Sequence, residues 1–208
     1  MRLRPAPEEP TLRTIRIAEA TDAQGVAEIY AASVVASPIS FETEVPTPQE
    51  MERRIVAVLA FAPWLVCVGE ERIEGYAYAS PHRERAAYRW CVDVSVYVHD
   101  GCRRVGVGRA LYTALLALLR AQGFYAAHAG ITLPNEPSVR LHESFEFQPV
   151  GVYPRVGFKC GAWHDVGWWQ HELRGRSAEP APTKSMDALR RTAQWDEAIA
   201  AGSATWCR

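Results

Sequence analysis

The stretch AYRWCVDVSVYVHDGCRRVGVGRALYTALLALLRAQG, residues 87 to 123, limits the fold more than any other part of this chain. Residues 87 to 98 carry the β-branched and aromatic bias of a central strand. Leu111, Leu115, Leu118 and Leu119 then recur at helical spacing as far as Gly123, the residue type that most often ends a helix. Between the two lie a pair of arginines and a pair of glycines. A long amphipathic helix joined by a tight turn to a buried strand has to lie on a sheet, so the chain belongs to a layered α/β class.

The flanking sequence extends this unit. Residues 12 to 18 alternate as a strand, and Thr21 or Asp22 can cap a helix carrying Val26, Ile29, Tyr30 and Val34. A proline-interrupted loop leads to a second helix that opens at Pro48 and stops before Pro63. Residues 64 to 82 read as a hairpin turning near Gly69 to Glu71; after the central helix come a strand over 124 to 133, a short helix over 135 to 145 and two closing strands. The expected order is β-α-α-β-β-β-α-β-α-β-β, a mixed sheet flanked by helices. Residues 1 to 11 have the composition of a disordered tail, 12 to 174 form the domain, and 175 to 208 are an extension, a linker followed by either a docking helix or a tail.

Bulk properties exclude several classes. Lys and Arg number 23 against 24 Asp and Glu, for a net charge of -1, so the broad basic face of a nucleic-acid binder is not expected. No apolar run is long enough to span a bilayer. Five scattered cysteines without a CxxC pair, and histidines 82, 99, 128, 164 and 171 without ligand spacing, point to reduced thiols, a cytoplasmic location and no metal.

Three phosphate-binding patterns compete for Arg103, Arg104, Val105, Gly106, Val107, Gly108 and Arg109. A P-loop fails because Gly108 is followed by Arg109 and Ala110, with neither the lysine nor the magnesium-binding hydroxyl. A dinucleotide fingerprint lacks its third glycine, where Leu111 stands. A pyrophosphate turn of the form [Q/R]xxGxG/A fits. It points successive N–H groups at an anion, and the helix dipole adds about half a positive charge. Three arginines at a helix N-terminus oppose that dipole unless an anion is bound there, although a solvated basic turn is the plainer reading.

The turn and the strings PWLVCV, GYAYASP, LPNEPSVRLHE and GFKCGAWHDVGWWQ resemble the phosphinothricin N-acetyltransferase family of the GNAT superfamily, from about residue 12 to 174. The resemblance implies the GNAT fold, acetyl-CoA as cosubstrate and a small amino-acid-like amine as acceptor, with a homodimer as the assembly. It makes the loop the coenzyme pyrophosphate site and assigns backbone groups of Val96, Tyr97 and Val98 to the pantetheine arm and thioester. Asp93 stands where the family has a glutamate base, one methylene shorter. A base is needed because freeing an amine of pKa about 10 at pH 7 costs roughly 4 kcal/mol. Asp93 paired only with an arginine remains the alternative.

Asn135 matches a coenzyme contact or is a plain N-cap. His142 stands in RLHESFEF, where many members have a tyrosine acid, and is either an acid or a helix-surface histidine; Glu146 replaces the usual glycine nearby. Arg83, Arg85 and Tyr88 match positions facing the acidic end of the acceptor, and Phe41 a pocket wall or a loop anchor. Cys91 could carry acetyl in a two-step scheme, but direct transfer fits better because no histidine adjoins it in sequence. An enzyme acetylating protein amines and a non-catalytic acyl-CoA sensor stand as the alternative functions.

Overall fold

The computed structural model describes residues 13–207, so the N-terminal tail expected over 1 to 11 lies outside them. Seven strands form one sheet: β1 (Thr14–Ile17), β2 (Trp64–Val68), β3 (Ile73–Pro81), β4 (Cys91–Val98), β5 (Ala126–Leu133), β6 (Gln148–Lys159) and β7 (Ala162–Glu172). Their spatial order is β1-β2-β3-β4-β5-β7-β6. Only β4 and β5 are parallel; the other pairs are antiparallel. The alternation of strand and helix expected from the sequence is present in that order.

Two layers of helix cover the sheet. On one face, α1 (Ala23–Val35) and α2 (Pro48–Leu59) bury Val26, Tyr30, Met51 and Ile55 against Trp64, Val66 and Tyr76. On the other, α3 (Val107–Gln122) buries Leu111, Leu115, Leu118 and Leu119 against Leu65, Ala77 and Val92. A short α4 (Glu136–Glu143) joins β5 to β6. Thr47 caps α2 by accepting the Glu50 amide at 3.2 Å, and Pro48 occupies the first turn, where its missing N–H costs nothing. Gly123 closes α3 at φ 106°, a conformation that favours glycine.

Two local expectations are corrected. Asp22 precedes α1 but makes no side-chain cap bond; its carboxylate takes Arg16 in a fork, at 2.6 and 2.7 Å, and the Glu19 amide. Burial pushes the Asp22 carboxyl up, but those bonds outweigh it and the net shift is downward. Residues 86–88 form a 3-10 turn instead of the start of β4, so the loop carrying Arg83, Arg85 and Tyr88 folds beside the sheet end.

Residues 186–203 form α5 (Met186–Arg190) and α6 (Ala193–Ser203). Thr192 separates them, its hydroxyl returned to the Leu189 carbonyl. Met186, Leu189 and Ala198 join the cluster around α3. Gly202 lets α6 approach so closely that an added Cβ would sit 2.7 Å from the Ala110 carbonyl oxygen. α3 is thus clamped between the sheet and these helices. Because Leu189 is fully buried in that cluster, Leu189→Ala is expected to lower unfolding free energy by about 2–5 kcal/mol. Urea denaturation checks this, and a loss below about 0.5 kcal/mol would mean that the segment does not hold α3.

Candidate active site

The site begins where a ladder stops. β4 and β5 pair only through Cys91–Ala126, Val92–Ala127 and Asp93–His128, yet they run on to Val98 and Leu133. Beyond Asp93 they splay into a wedge. Their facing backbone groups lose a strand partner there, while β3 stays paired with β4 as far as Val98. A cavity opens in the gap, lined by Ser95, Val96, Tyr97, Tyr112, Asn135 and His142 among others.

At the wide end of the wedge stands the arginine-glycine turn. Arg104 and Gly106 adopt left-handed conformations, φ 66° and 93°, and Val107 opens α3. Successive reversals of this kind turn neighbouring amides to one side, as in an anion nest. Among the described residues, none of the amides from Arg104 to Arg109 donates a hydrogen bond. The first turn of a helix leaves such donors free for a ligand. Arg103 pairs with Asp100 at 2.6 Å, and Arg109 donates to Ser144 at 3.1 Å while lying over Phe145. Gly108 faces Leu141, Val98 and Val96, where a Cβ would make ordinary contact, so Gly106 is the glycine that the backbone itself requires.

Asp93 sits at the apex of the wedge, half-buried. Its Oδ1 meets His82 Nδ1 at 2.6 Å and its Oδ2 lies 3.9 Å from Arg83. Burial raises its carboxyl, against the lowering effect of the His82 hydrogen bond and the positive charges nearby. The His82 ring stacks on His128, centroids 4.2 Å apart, and meets Tyr88 and Trp168 edge-on. Arg83 also lies over Trp168. The structure therefore brings Arg83 to Asp93 and Tyr88 to His82, and the arginine pairing read from the sequence is a longer contact than the histidine one.

The remaining residues divide. Asn135 caps α4, its Oδ1 accepting the Ser138 amide at 3.3 Å, and also lines the cavity. His142 is 4% exposed, so it is no surface histidine. Its Nδ1 lies 2.8 Å from the Ser138 carbonyl oxygen and its Nε2 2.9 Å from the Tyr112 hydroxyl. A carbonyl can only accept, so Nδ1 carries the proton and Tyr112 donates to Nε2. Glu146 keeps a left-handed turn, φ 63°, without the glycine. Phe41 packs over Gly157 and against His164, at the rim formed by β6 and β7. Arg85 is exposed and holds no described partner. Burial pushes the Cys91 thiol up, away from the thiolate a nucleophile needs. His82, His128, Trp168 and Tyr112 escaped the sequence reading; the only hint was Asp93 in an apolar strand, which called for partners.

The donor atoms of His82, Asp93 and His128 lie within 4.8 Å of one another, the separation a metal ion asks for. Their geometry does not fit one. An ion must lie near both ring planes to meet the nitrogen lone pairs at about 2.0–2.1 Å. Rings stacked at 4.2 Å with planes 18° apart have no such common point.

Comparison with known proteins follows the same lines. The profile of the acetyltransferase (GNAT) domain matches residues 15–168. A phosphinothricin N-acetyltransferase of Streptomyces viridochromogenes is 42% identical over 175 residues, covering 84% of this chain and 95% of that protein. The L-methionine sulfoximine/L-methionine sulfone acetyltransferase of Salmonella typhimurium is 32% identical over 169 residues, covering 81% and 99%. Among solved structures, a GNAT superfamily phosphinothricin acetyltransferase from Sinorhizobium meliloti in complex with AcCoA superposes with a TM-score of 0.79 at 33% identity, covering 86% of this chain and 99% of that one.

Burial lowers the His142 imidazole from its ordinary value, against the raising effect of the Ser138 carbonyl. Folding therefore binds fewer protons than the unfolded chain once pH drops below about 6.5, and stability falls from there downward. Nitrogen-15 NMR is expected to find the Nδ1–H tautomer, neutral at pH 6.5. A ring half-protonated at or above that pH would contradict the Tyr112 bond.

Proposed function

Since the chain belongs to the GNAT acetyltransferase family and is an N-acetyltransferase, we propose that it moves acetyl from acetyl-CoA to the amine of a small amino-acid-like acceptor of the phosphinothricin or methionine sulfoximine kind. The observation that carries this reading is the wedge itself, with Asp93 at its apex and free amides at its mouth. The fit of acetyl-CoA rests on those amides. They are donors without acceptors at a helix N-terminus, which suits a diphosphate. When bound, acetyl-CoA supplies a thioester carbonyl open to attack.

In this reading the amides from Val105 to Arg109 hold the diphosphate, with Arg103, Arg104 and Arg109 adding charge. Backbone groups of Val96, Tyr97 and Val98, with Asn135, align the pantetheine arm, and a β4 amide polarises the thioester carbonyl. Arg83, Arg85 and Tyr88 receive the acceptor's carboxylate or phosphinate, since a guanidinium can bond such oxygens in pairs. Phe41 closes the wall beside them. Asp93 supplies the negative charge on which deprotonation of the ammonium depends. His142 and the Tyr112 hydroxyl bonded to it both line the cavity and are the candidates to return a proton to the departing sulfur.

Direct transfer in a ternary complex suits a Cys91 thiol that burial disfavours as a thiolate better than an acetyl-cysteine scheme does. No described helix is long and apolar enough to cross a membrane, and we place the enzyme in the cytoplasm, where acetyl-CoA and thiols such as Cys160 coexist. Val150, Val152, Tyr153 and Phe158 are exposed on β6, the edge strand. A long apolar edge needs cover, which favours a homodimer through that edge.

Acetyl-CoA is expected to release free thiol with phosphinothricin, methionine sulfoximine or one of a panel of amino acids, and Asp93→Asn to lower kcat on the order of 10²-fold or more with little effect on acetyl-CoA binding. Binding without thiol release on any amine would favour the sensor. Release only with peptides would favour a protein acetyltransferase.

A further inference from the structure

We propose that the atom receiving the ammonium proton is His82 Nε2, with Asp93 acting through His82 as the partner that orients and charges it. The inference rests on the acetyltransferase reading above and names a catalytic residue that reading lacks. Four observations support it.

Asp93 is the shorter acid, and its Oδ1 is already committed to His82 Nδ1 at 2.6 Å. A carboxylate bonded to Nδ1–H fixes the tautomer and leaves the Nε2 lone pair free. His82 is only partly exposed, its side chain at 14%, yet Nε2 makes no hydrogen bond to a described residue and is not among the sealed polar atoms. It therefore keeps contact with solvent beside Asp93.

The surroundings suit a ring that gains charge. Those facing it are Asp93 from β4, His128 from β5, Arg83 and Tyr88 from the loop after β3, and Trp168 from β7. His128 donates from Nε2 to Gln170 Oε1 at 3.1 Å, which leaves its Nδ1 bare. Burial lowers His128, as does the charge of its neighbour, so it stays neutral and offers an aromatic face to an imidazolium at 4.2 Å. Among the described groups facing the ring, Arg83 carries the opposing charge; it lies against Asp93 and Trp168 on the side where the acceptor's acid group would be met.

The step balances as follows. An N–H bond of the ammonium breaks as the Nε2–H bond forms, and the positive charge passes to the imidazole beside the Asp93 carboxylate. The freed nitrogen lone pair attacks the thioester carbon, the C–S bond breaks with its electron pair going to sulfur, the surplus proton still on the attached nitrogen passes to that sulfur so that amide and free thiol result, and the imidazolium returns its own proton to water in the cleft. An ordinary imidazole is a stronger base than an ordinary carboxylate by about 2.6 pK units, so it takes a proton from an ammonium more readily.

The test uses the full-length enzyme with the acceptor that gives the best thiol release. His82→Asn can still donate to Asp93 but has no second nitrogen. It is expected to lower kcat/KM on the order of 10²-fold with acetyl-CoA affinity unchanged. His82→Gly is expected to regain turnover with added imidazole, a gain that a merely structural histidine would not show. Turnover of His82→Asn within about threefold of the parent, with Asp93→Asn impaired, would overturn the proposal and return the proton to Asp93. A folded His82→Gly enzyme that binds acetyl-CoA but ignores imidazole would count against it. So would activity abolished by chelator and restored by zinc, which would give the trio to a metal. If the parent acetylates no amine, or Asp93→Asn is fully active, the wider reading fails instead.

Discussion

The groove and everything proposed of it depend on β4 and β5 ceasing to pair after Asp93–His128. A parallel ladder buried between two helical layers has no reason in its hydrophobic pattern to open, and both strands continue beyond the last pair, to Val98 and Leu133. The opening exposes main-chain donors and acceptors that must find partners elsewhere. It also sets what borders the gap, namely the α3 N-terminus at one end and the paired acid and histidines at the other. A single break in hydrogen bonding thus produces the groove, its polar lining and the placement of its charged group.

Electrostatics divide along that groove. The wide end presents amide dipoles and arginines and suits an anion; the apex presents a carboxylate that burial holds above its usual value and imidazoles that are neutral or shared. The same desolvation acts in opposite directions on acid and base, lifting Asp93 and depressing His128 and His142. Proton-accepting capacity is concentrated at the apex, and the deeper His142 is kept uncharged beside Tyr112.

Much of this was legible in the sequence because it is local. The period of residues 107 to 122, the strand bias before them and the two glycines all lie within one run of chain. The element order and the arginine-glycine turn came from such runs. What escaped was contact between distant residues. His82 and Asp93 stand eleven positions apart across a strand pair, and Tyr112 and His142 thirty apart across a helix and a strand. No periodicity announces a histidine that pairs with an acid on the next strand. Sequence spacing is blind to a histidine just after β3 stacking on one in β5. The 3-10 turn at residues 86–88 was hidden for another reason: AYRW has the composition of a strand, and Trp90 instead donates to the carbonyl of Ala181 in the C-terminal segment.

The close seat of α6 against α3 at Gly202 bears on more than stability. α3 begins at the turn whose amides stand open, so a helix pinned along its length by the sheet on one side and by Leu189, Ala198 and Gly202 on the other fixes the direction of those amides during folding. In the proposed reading an incoming diphosphate would meet a mould that has already set. Little chain then remains to be immobilised at encounter, and discrimination among nucleotide-bearing thioesters falls to the match of oxygen to donor.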